Sequence, residues 1–229
     1  MTAPLEVEDL SFSYDSPLAL KGISFTVRPG ERVGLAGANG SGKSTLVWCI
    51  LGLLRCGGSV RLFGEPPGGG VLARVGVVFQ NPEDQLFLPS ILDDVALPLI
   101  NRETPRTAAH ARARAMLAAV GLAGCEGRPA AALSLGQRKR AAIAAALIDA
   151  PALLLLDEPT AELDGRSVRQ LKELLLGLDA AMLIASHDLS FLRDIALRAV
   201  VLGEGKILRD GPVGPVLGDS ALLLDAGLI

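Results

Sequence analysis

One nine-residue segment carries the residues whose spacing most clearly predicts chemistry. Residues 37–45 read GANGSGKST and fit the phosphate-binding pattern G-x-x-x-x-G-K-[ST] in full, between a predicted strand and a predicted helix. Glycines let successive backbone N–H groups point at phosphate oxygens, and the helix adds the positive end of its dipole. Lys43 is expected to reach the β- and γ-phosphates, and the Ser44 hydroxyl to ligate Mg²⁺. The residues predicted to cradle the phosphates are Asn39, Gly40, Ser41, Gly42, Lys43, Ser44 and Thr45.

A second candidate group follows an apolar run farther along the chain. Residues 153–156 predict a buried strand, and two carboxylates, Asp157 and Glu158, come directly after it. We expect Asp157 to hold the Mg²⁺ shell and Glu158 to orient or deprotonate an attacking water. Simpler explanations are a glycine-rich turn with a chance lysine for the first motif and an acidic strand end for the second. The presence of both motifs favours an enzyme that hydrolyses a nucleoside triphosphate.

Short strands and helices in alternation must position these groups. Alternating polarity and apolar runs predict strands at residues 5–8, 23–27, 32–35, 60–63, 75–79, 153–156, 182–185 and 200–202. Helical patterns cover residues 44–54 and most of 105–148, and prolines and glycines at 66–70 predict an exposed loop. Because ligands of open α/β sheets bind beyond the carboxyl ends of the strands, we expect one site at that edge.

Composition limits the class of protein. At 229 residues, with 50% hydrophobic but only 3% aromatic residues, the chain suits one α/β domain whose parallel strands are covered by helices. The net charge of -3 gives no indication of a nucleic-acid partner. Three cysteines without paired spacing predict incidental thiols. No segment reaches the roughly 20 uninterrupted apolar residues of a membrane span, and the N-terminus does not resemble a signal peptide, so we expect a cytoplasmic protein.

A third motif narrows the class further. Residues 133–137 read LSLGQ, directly before a predicted helix at 138–148. Here the chain resembles the ATPases of ABC transporters, whose signature loop reads LSGGQ and reaches across a dimer. The resemblance implies that the Ser134 hydroxyl and the Gly136 N–H bind the γ-phosphate held by the other subunit, with Gln137 completing the loop. The chain departs from the family pattern at Leu135, where the family has a glycine.

The remaining positions of that family's pattern follow in order. The resemblance implies that Tyr14 stacks on adenine, that Gln80 senses Mg²⁺ and the membrane partner, and that His187 contacts the γ-phosphate. Residues 161–164, AELD, resemble the family's D-loop. A ring that caps the sheet edge remains an alternative for Tyr14, and a lone histidine is more often structural. The resemblance extends from Tyr14 to a predicted turn at residues 210–211.

The resemblance also implies a fold, a division of the chain and two cofactors. The fold class is α/β, a RecA-like P-loop NTPase core with an N-terminal antiparallel β subdomain and an inserted α-helical subdomain. Residues 1–82 and 150–229 would form the core with its β subdomain, and residues 83–149 the helical lobe. ATP and Mg²⁺ are the implied cofactors. The implied metal ligands are Ser44, Gln80 and Asp157.

One segment indicates a subfamily. Residues 79–87, FQNPEDQLF, resemble the corresponding loop of ATPases from energy-coupling-factor importers, including cobalt and nickel uptake systems. The leucine-rich tail at 222–228 resembles the C-terminal end of those ATPases. The implied partners are a transmembrane coupling protein and a substrate-capturing membrane protein, which would hold the chain at the cytoplasmic face of the membrane. Cobalt is the first expectation for the cargo, with nickel and biotin as alternatives.

The same motifs indicate an oligomeric state and argue against two other classes of protein. The chain combines the residues of both halves of a working site, namely Lys43, Glu158, His187, Ser134 and Gly136, which favours a homodimer over pairing with a related ATPase. A soluble ABC ATPase acting on DNA or ribosomes would carry a long coiled coil or a second ATPase domain. A P-loop kinase would lack the signature loop and the histidine. We therefore expect a transporter ATPase without a nucleic-acid partner.

Overall fold

Two β-sheets organise the computed structural model, which describes residues 2–14 and 19–229. The strands of the described part are β1 (Leu5–Phe12), β2 (Leu20–Val27), β3 (Arg32–Ala36), β4 (Gly57–Leu62), β5 (Val75–Val78), β6 (Leu153–Asp157), β7 (Ala181–Ser186), β8 (Arg198–Gly203) and β9 (Lys206–Pro212). A three-stranded antiparallel sheet has the order β2-β1-β4. A six-stranded sheet has the order β5-β6-β7-β3-β8-β9, in which only the pairing of β8 with β9 is antiparallel. Every strand predicted from the sequence overlaps one of these.

Helices connect the strands. In the described ranges they are α1 (Lys43–Ile50), α2 (Gly69–Leu72), α3 (Ile91–Ile100), α4 (Arg106–Ala119), α5 (Leu135–Leu147), α6 (Gly165–Leu176), α7 (Leu189–Ile195), α8 (Val213–Gly218) and α9 (Ser220–Asp225). None of these described helices has both the length and the hydrophobicity needed to cross a membrane.

The central strands of the six-stranded sheet, β6, β7, β3 and β8, are buried on both faces, and the apolar runs of the sequence reflect this. Along β6, Leu153 and Leu155 pack against the three-stranded sheet and α1, whereas Leu154 and Leu156 pack on the opposite face. That opposite face is covered by side chains from α5 to α9. Since successive side chains of a strand point to opposite faces, a strand between two apolar layers must be apolar throughout.

A third apolar cluster lies among α3, α4 and α5, which we call the helical lobe. Ala109 and Ala113 of α4 and Ala141 and Ala144 of α5 are fully buried in this cluster. Helix α5 also contributes Ile143 to the cluster on the sheet. It therefore joins the lobe to the six-stranded sheet.

Three local predictions were wrong. The turn predicted at residues 210–211 lies inside β9, because the Asp210 carboxylate pairs with the Arg198 guanidinium across the two strands; the turn is made instead by Glu204 and Gly205, whose φ angles are 46° and 75°. The loop predicted at 66–70 includes the start of α2, which buries Val71. Helix α5 begins three residues before the predicted position.

The early start of α5 has a capping explanation. The Ser134 hydroxyl accepts a hydrogen bond from the Gln137 N–H, and the Gln137 side chain accepts one from the Ser134 N–H. This reciprocal pair satisfies two backbone donors that the first turn of a helix leaves free. Residues 135–137 of the LSLGQ motif therefore form the first turn of α5 and not a loop.

Candidate active site

Four neighbouring parallel strands bring the predicted residues together. In the order β5-β6-β7-β3, their carboxyl ends lead into Gln80, Glu158, His187 and the glycine loop at residues 37–42. Because parallel strands end at the same edge of a sheet, segments that are far apart in the sequence meet there. These predicted site residues therefore lie close together at one edge of the six-stranded sheet.

The glycine loop is closed around the side chain of Lys43. Gly42 adopts a φ of 107° and caps α1, and a Cβ at this position would lie 2.8 Å from Leu20 Cδ2, so only glycine fits. Lys43 is 6% exposed, and its Nζ donates to the carbonyl oxygens of Gly37 at 2.7 Å and Ala38 at 3.1 Å. The ammonium is thus held inside the curl of the loop.

Glu158 lies at the centre of the polar contacts. Its Oε1 is 3.2 Å from Lys43 Nζ, and its Oε2 accepts a hydrogen bond from the Ser186 hydroxyl at 3.1 Å. The His187 N–H donates to Oε1 at 3.2 Å, and His187 Nδ1 lies 3.0 Å from Oε2. Glu158 is 4% exposed and has a φ of 47°, a conformation that residues other than glycine rarely adopt. A buried carboxylate held in one orientation can accept a proton from a water molecule in a defined position.

Asp157 provides the feature that suits a cation. It is 1% exposed, burial raises the pKa of its carboxyl group, and a hydrogen bond from the Ser44 side chain opposes that shift. Its Oδ1 has no hydrogen-bond partner in the described part of the chain. A buried carboxylate oxygen without a partner is costly, and a bound cation would satisfy it. In residues 2–14 and 19–229, no group of three or more Asp, Glu, His or Cys side chains is arranged so that it could hold a metal ion.

A cavity of about 510 Å³ joins these groups to the predicted adenine site. Tyr14 stands at its edge with 56% of the residue exposed; its hydroxyl oxygen is 3.3 Å from Thr45 Oγ1, and its ring meets Phe12 edge to face with centroids 4.8 Å apart. The ring therefore stays accessible while both contacts restrain it. The cavity is lined by Tyr14, Ala19, Asn39, Gly40, Gly42, Lys43, Ser44, Thr45, Gln80 and Glu158.

The signature residues lie elsewhere in the same chain. Within the part of the chain that the structure describes, Ser134, Gly136 and Gln137 line neither this cavity nor the adjoining one of about 530 Å³, which Leu135 does line. Leu135 is not among the described residues with positive φ, so its side chain causes no backbone strain where the family has glycine. Ser41 is 7% exposed and its hydroxyl has no partner among the described residues.

Two residues of this region are absent from the sequence-based site. The Ser186 hydroxyl donates a hydrogen bond to the Glu158 carboxylate. Its position at the end of β7, directly before His187, could have indicated from the sequence that it belongs to the site. Lys139 is 2% exposed and donates to backbone carbonyls around the site. It shares a helix face with Ile143 and Leu147, which follow at four-residue intervals, so helical periodicity could have indicated its burial.

Similarity to known proteins extends over the whole chain. A family model described as ABC transporter matches residues 20–161. A putative ABC transporter ATP-binding protein of Streptomyces avermitilis is 42% identical over 97% of this chain and 88% of that protein. The nickel import ATP-binding protein NikO of Rhodobacter capsulatus is 39% identical over 100% and 97%. The energy-coupling factor transporter ATP-binding protein EcfA of Methanocaldococcus jannaschii is 39% identical over 98% and 84%.

Solved structures share the fold. CbiO1 of Clostridium perfringens, part of the ABC transporter complex CbiONQ, aligns with a TM-score of 0.81 at 31% identity and covers 100% of this chain and 96% of that one. The ATP-binding cassette MJ0796, in a dimeric post-hydrolysis state with ADP and Pi, aligns with a TM-score of 0.82 at 27% identity over 91% and 98%. The α/β fold class predicted from the sequence, a P-loop NTPase, is confirmed.

Proposed function

The chain belongs to the family of ABC transporter ATP-binding proteins and is an ATPase, and from this premise we propose that it powers an importer of the energy-coupling-factor type. The observation that carries the proposal is the match to NikO and EcfA over nearly the whole chain. It is supported by the segment FQNPEDQLF at residues 79–87. The cargo we propose is a trace metal ion, with cobalt first and nickel next, or a vitamin such as biotin. A different class of ABC transporter is the alternative.

Each site residue has a proposed role. ATP binds with its phosphates in the glycine loop. Ser44, Asp157 and Gln80 would hold Mg²⁺, which would supply positive charge against the phosphate oxygens. An arriving γ-phosphate competes with Glu158 for the Lys43 ammonium, because the more highly charged oxygens attract it more strongly. The Glu158 carboxylate, still oriented by Ser186 and His187, then accepts a proton from the attacking water.

The working unit we propose is a homodimer at the cytoplasmic face of the membrane. The LSLGQ residues Ser134, Gly136 and Gln137 lie away from their own chain's cavity, so they would complete the site of a second subunit. A dimeric neighbour with ADP and Pi supports this arrangement. Residues 1–82 and 150–229 would act as the core of a single domain and residues 83–149 as the lobe that carries the signature. Nucleic acid has no proposed role.

A groove between β5, α3 and α5 is the proposed contact for a transmembrane coupling protein. It has a volume of about 430 Å³, and its wall includes Asp94, which is 3% exposed. The Oδ1 atom of Asp94 accepts from the N–H groups of Phe87 and Leu88, while Oδ2 has no partner in the described part of the chain. The Phe87 side chain beside it is 68% exposed. An exposed aromatic ring close to a groove suits docking of a protein helix.

The importer proposal predicts ATP-dependent uptake by proteoliposomes that contain the chain and the membrane proteins that co-purify with it. Uptake of Co²⁺, Ni²⁺ and biotin would be measured separately, and we expect one of them to accumulate only with ATP. Phe87→Glu should lower uptake and co-purification at least about 10-fold, because a charge replaces an apolar anchor. ATP binding by the isolated variant should not change, since Phe87 lies outside the cavity.

The matched control is Leu197→Glu. Leu197 is 59% exposed between α7 and β8, so the same change is made away from the groove, and uptake should be retained. Accumulation of none of the three cargoes by an assembly that hydrolyses ATP would contradict the importer proposal. Equal losses in both variants would contradict the groove as the docking site.

Adenine stacking on Tyr14 makes a separate prediction. Tyr14→Ala should weaken ATP binding by about 1–3 kcal/mol, the range for stacking of a base on an aromatic ring, without abolishing hydrolysis at saturating ATP. Tyr14→Phe is the matched control, because it keeps the ring and removes the hydroxyl that contacts Thr45. Calorimetric titration would measure both. An ATP affinity that is unchanged in Tyr14→Ala would return the ring to the role of a cap on the sheet edge.

A further inference from the structure

Lys139 of α5 uses all of its hydrogen-bonding capacity inside the protein. The side chain is 2% exposed. Its ammonium has three N–H donors, and three backbone carbonyl oxygens surround it. Nζ lies 2.6 Å from the carbonyl oxygen of Glu158, 3.3 Å from that of Gln80 and 3.3 Å from that of Ala161.

In the described part of the chain, this buried cation has carboxylates nearby but none within ion-pair distance. Burial lowers the pKa of its ammonium, and the charges of Glu158, Glu162 and Asp157 oppose that shift. An apolar side chain of similar size would fill the space but would leave the three carbonyl oxygens without this donor, which is costly for buried acceptors. Packing alone therefore does not account for a lysine here.

The three carbonyls belong to three segments of the active site. Gln80 follows β5, Glu158 follows β6, and Ala161 lies in the turn before α6. Glu158 has a φ of 47°; its carbonyl oxygen accepts from Lys139, and its carboxylate contacts Lys43 and His187. Because the carbonyl and the side chain share one residue, holding the carbonyl restricts the backbone from which the carboxylate extends, while Ser186 and His187 hold the carboxylate itself.

We propose that Lys139 is a positioning residue for hydrolysis, which holds the backbone of Glu158 so that its carboxylate faces the attacking water. This proposal rests on the role of Glu158 proposed above. Since Lys139 stands two residues after Gln137 on the same helix, it also connects the signature residues to that carboxylate. A shift of α5 would therefore change the orientation of Glu158.

Lys139→Met tests the proposal by keeping the length of the side chain and removing its donors. We expect kcat to fall about 10²-fold, the size of loss that a misplaced catalytic group causes. KM for ATP should stay within about threefold, because Lys139 itself forms its hydrogen bonds with Gln80, Glu158 and Ala161 and with no residue of the segment 37–45. Lys172→Met is the control. It removes a lysine of α6 that forms an exposed ion pair with Asp194, and kcat should stay within about twofold.

The decisive measurement repeats Lys139→Met in a Glu158→Gln background. If Lys139 acts through the carboxylate, the second change should lower kcat no further, because residues that act as a unit are not additive. The same fold loss in both backgrounds would show an independent structural role and overturn the proposal, as would a wild-type kcat in Lys139→Met. Wild-type hydrolysis by Glu158→Gln alone would be a distinct outcome, which rejects the role of Glu158 and with it the role of Lys139.

Lys139→Gln keeps the test valid if the methionine variant does not fold. Its amide offers two N–H donors without a charge. We expect a smaller loss of kcat than in Lys139→Met and the same absence of a further loss in the Glu158→Gln background. An equal fold loss for Lys139→Gln in both backgrounds would overturn the proposal. Thermal melting of each variant identifies those that fold.

Discussion

Glu158→Gln is expected to bind ATP and to hydrolyse it about 10²–10⁴-fold more slowly, the usual contribution of a positioned base. The glutamine has the shape of the glutamate, and its carbonyl oxygen can still accept from Ser186. It cannot take a proton from water. Single-turnover hydrolysis at saturating ATP would measure the chemical step, and retention of ATP by the variant would show that the site still closes.

Glu204→Gln is the matched control for this change. Glu204 also has a positive φ, 46°, but it lies exposed in the turn between β8 and β9, so its replacement should leave hydrolysis unchanged. Removal of the charge of Glu158 also leaves Lys43 without its ion-pair partner, so the melting temperature must be compared. A folded Glu158→Gln variant with the wild-type rate would exclude Glu158 as the base.

The elements that build the site could be predicted because their signals are local. The glycine loop follows β3 and precedes α1, and the apolar run that forms β6 ends directly before Glu158. Burial between two apolar layers makes such strands continuous hydrophobic runs, which stand out in a sequence. The family predicted from these motifs is confirmed by relatives over nearly the whole chain.

The hydrogen bonds from Lys139 to the backbone of Glu158 and Gln80 could not be predicted, because they join residues that are far apart in the sequence. Lys139 lies 59 residues from Gln80 and 19 residues from Glu158 in the sequence, and no local sequence pattern indicates a contact between residues so far apart. The four-residue spacing from Lys139 to Ile143 and Leu147 can indicate that Lys139 is buried, but it does not identify the carbonyls that Lys139 contacts. The left-handed backbone of Glu158 is likewise a tertiary effect, since a glutamate has no local preference for it.

The wrong predictions arose where one local signal competed with another. Asp-Gly at residues 210–211 is a common turn signal, but Glu204 and Gly205 offer a turn between the same strands, and Asp210 gains the Arg198 guanidinium as a partner by remaining in β9. At residue 134, a serine followed three residues later by glutamine was a helix-start signal. The structure follows this signal, and the signature residues after Ser134 form the first turn of α5 and not the expected loop.

The largest qualitative effect is expected when two inactive variants are mixed, because their mixed dimers should regain the ability to occlude ATP. Lys43→Ala removes the ammonium from the glycine loop, and Ser134→Arg places a bulky side chain where the other subunit's phosphate would lie. Each homodimer should fail to occlude ATP, because both of its sites carry the lesion. In a mixed dimer both lesions fall in one site, and the other site has an intact Lys43 and an intact Ser134. Mixed dimers isolated through two different affinity tags should therefore occlude one ATP per pair.

A matched control carries the same two lesions in the other arrangement. Wild-type chains mixed with the double variant Lys43→Ala/Ser134→Arg give mixed dimers in which each site has one lesion, so no ATP should be occluded. Occlusion is a safer readout than hydrolysis, because turnover could require both sites. Normal occlusion by the Ser134→Arg homodimer would show that the signature does not act across a dimer. Equal occlusion in the two kinds of mixed dimer would contradict the composite site, since its geometry alone distinguishes them.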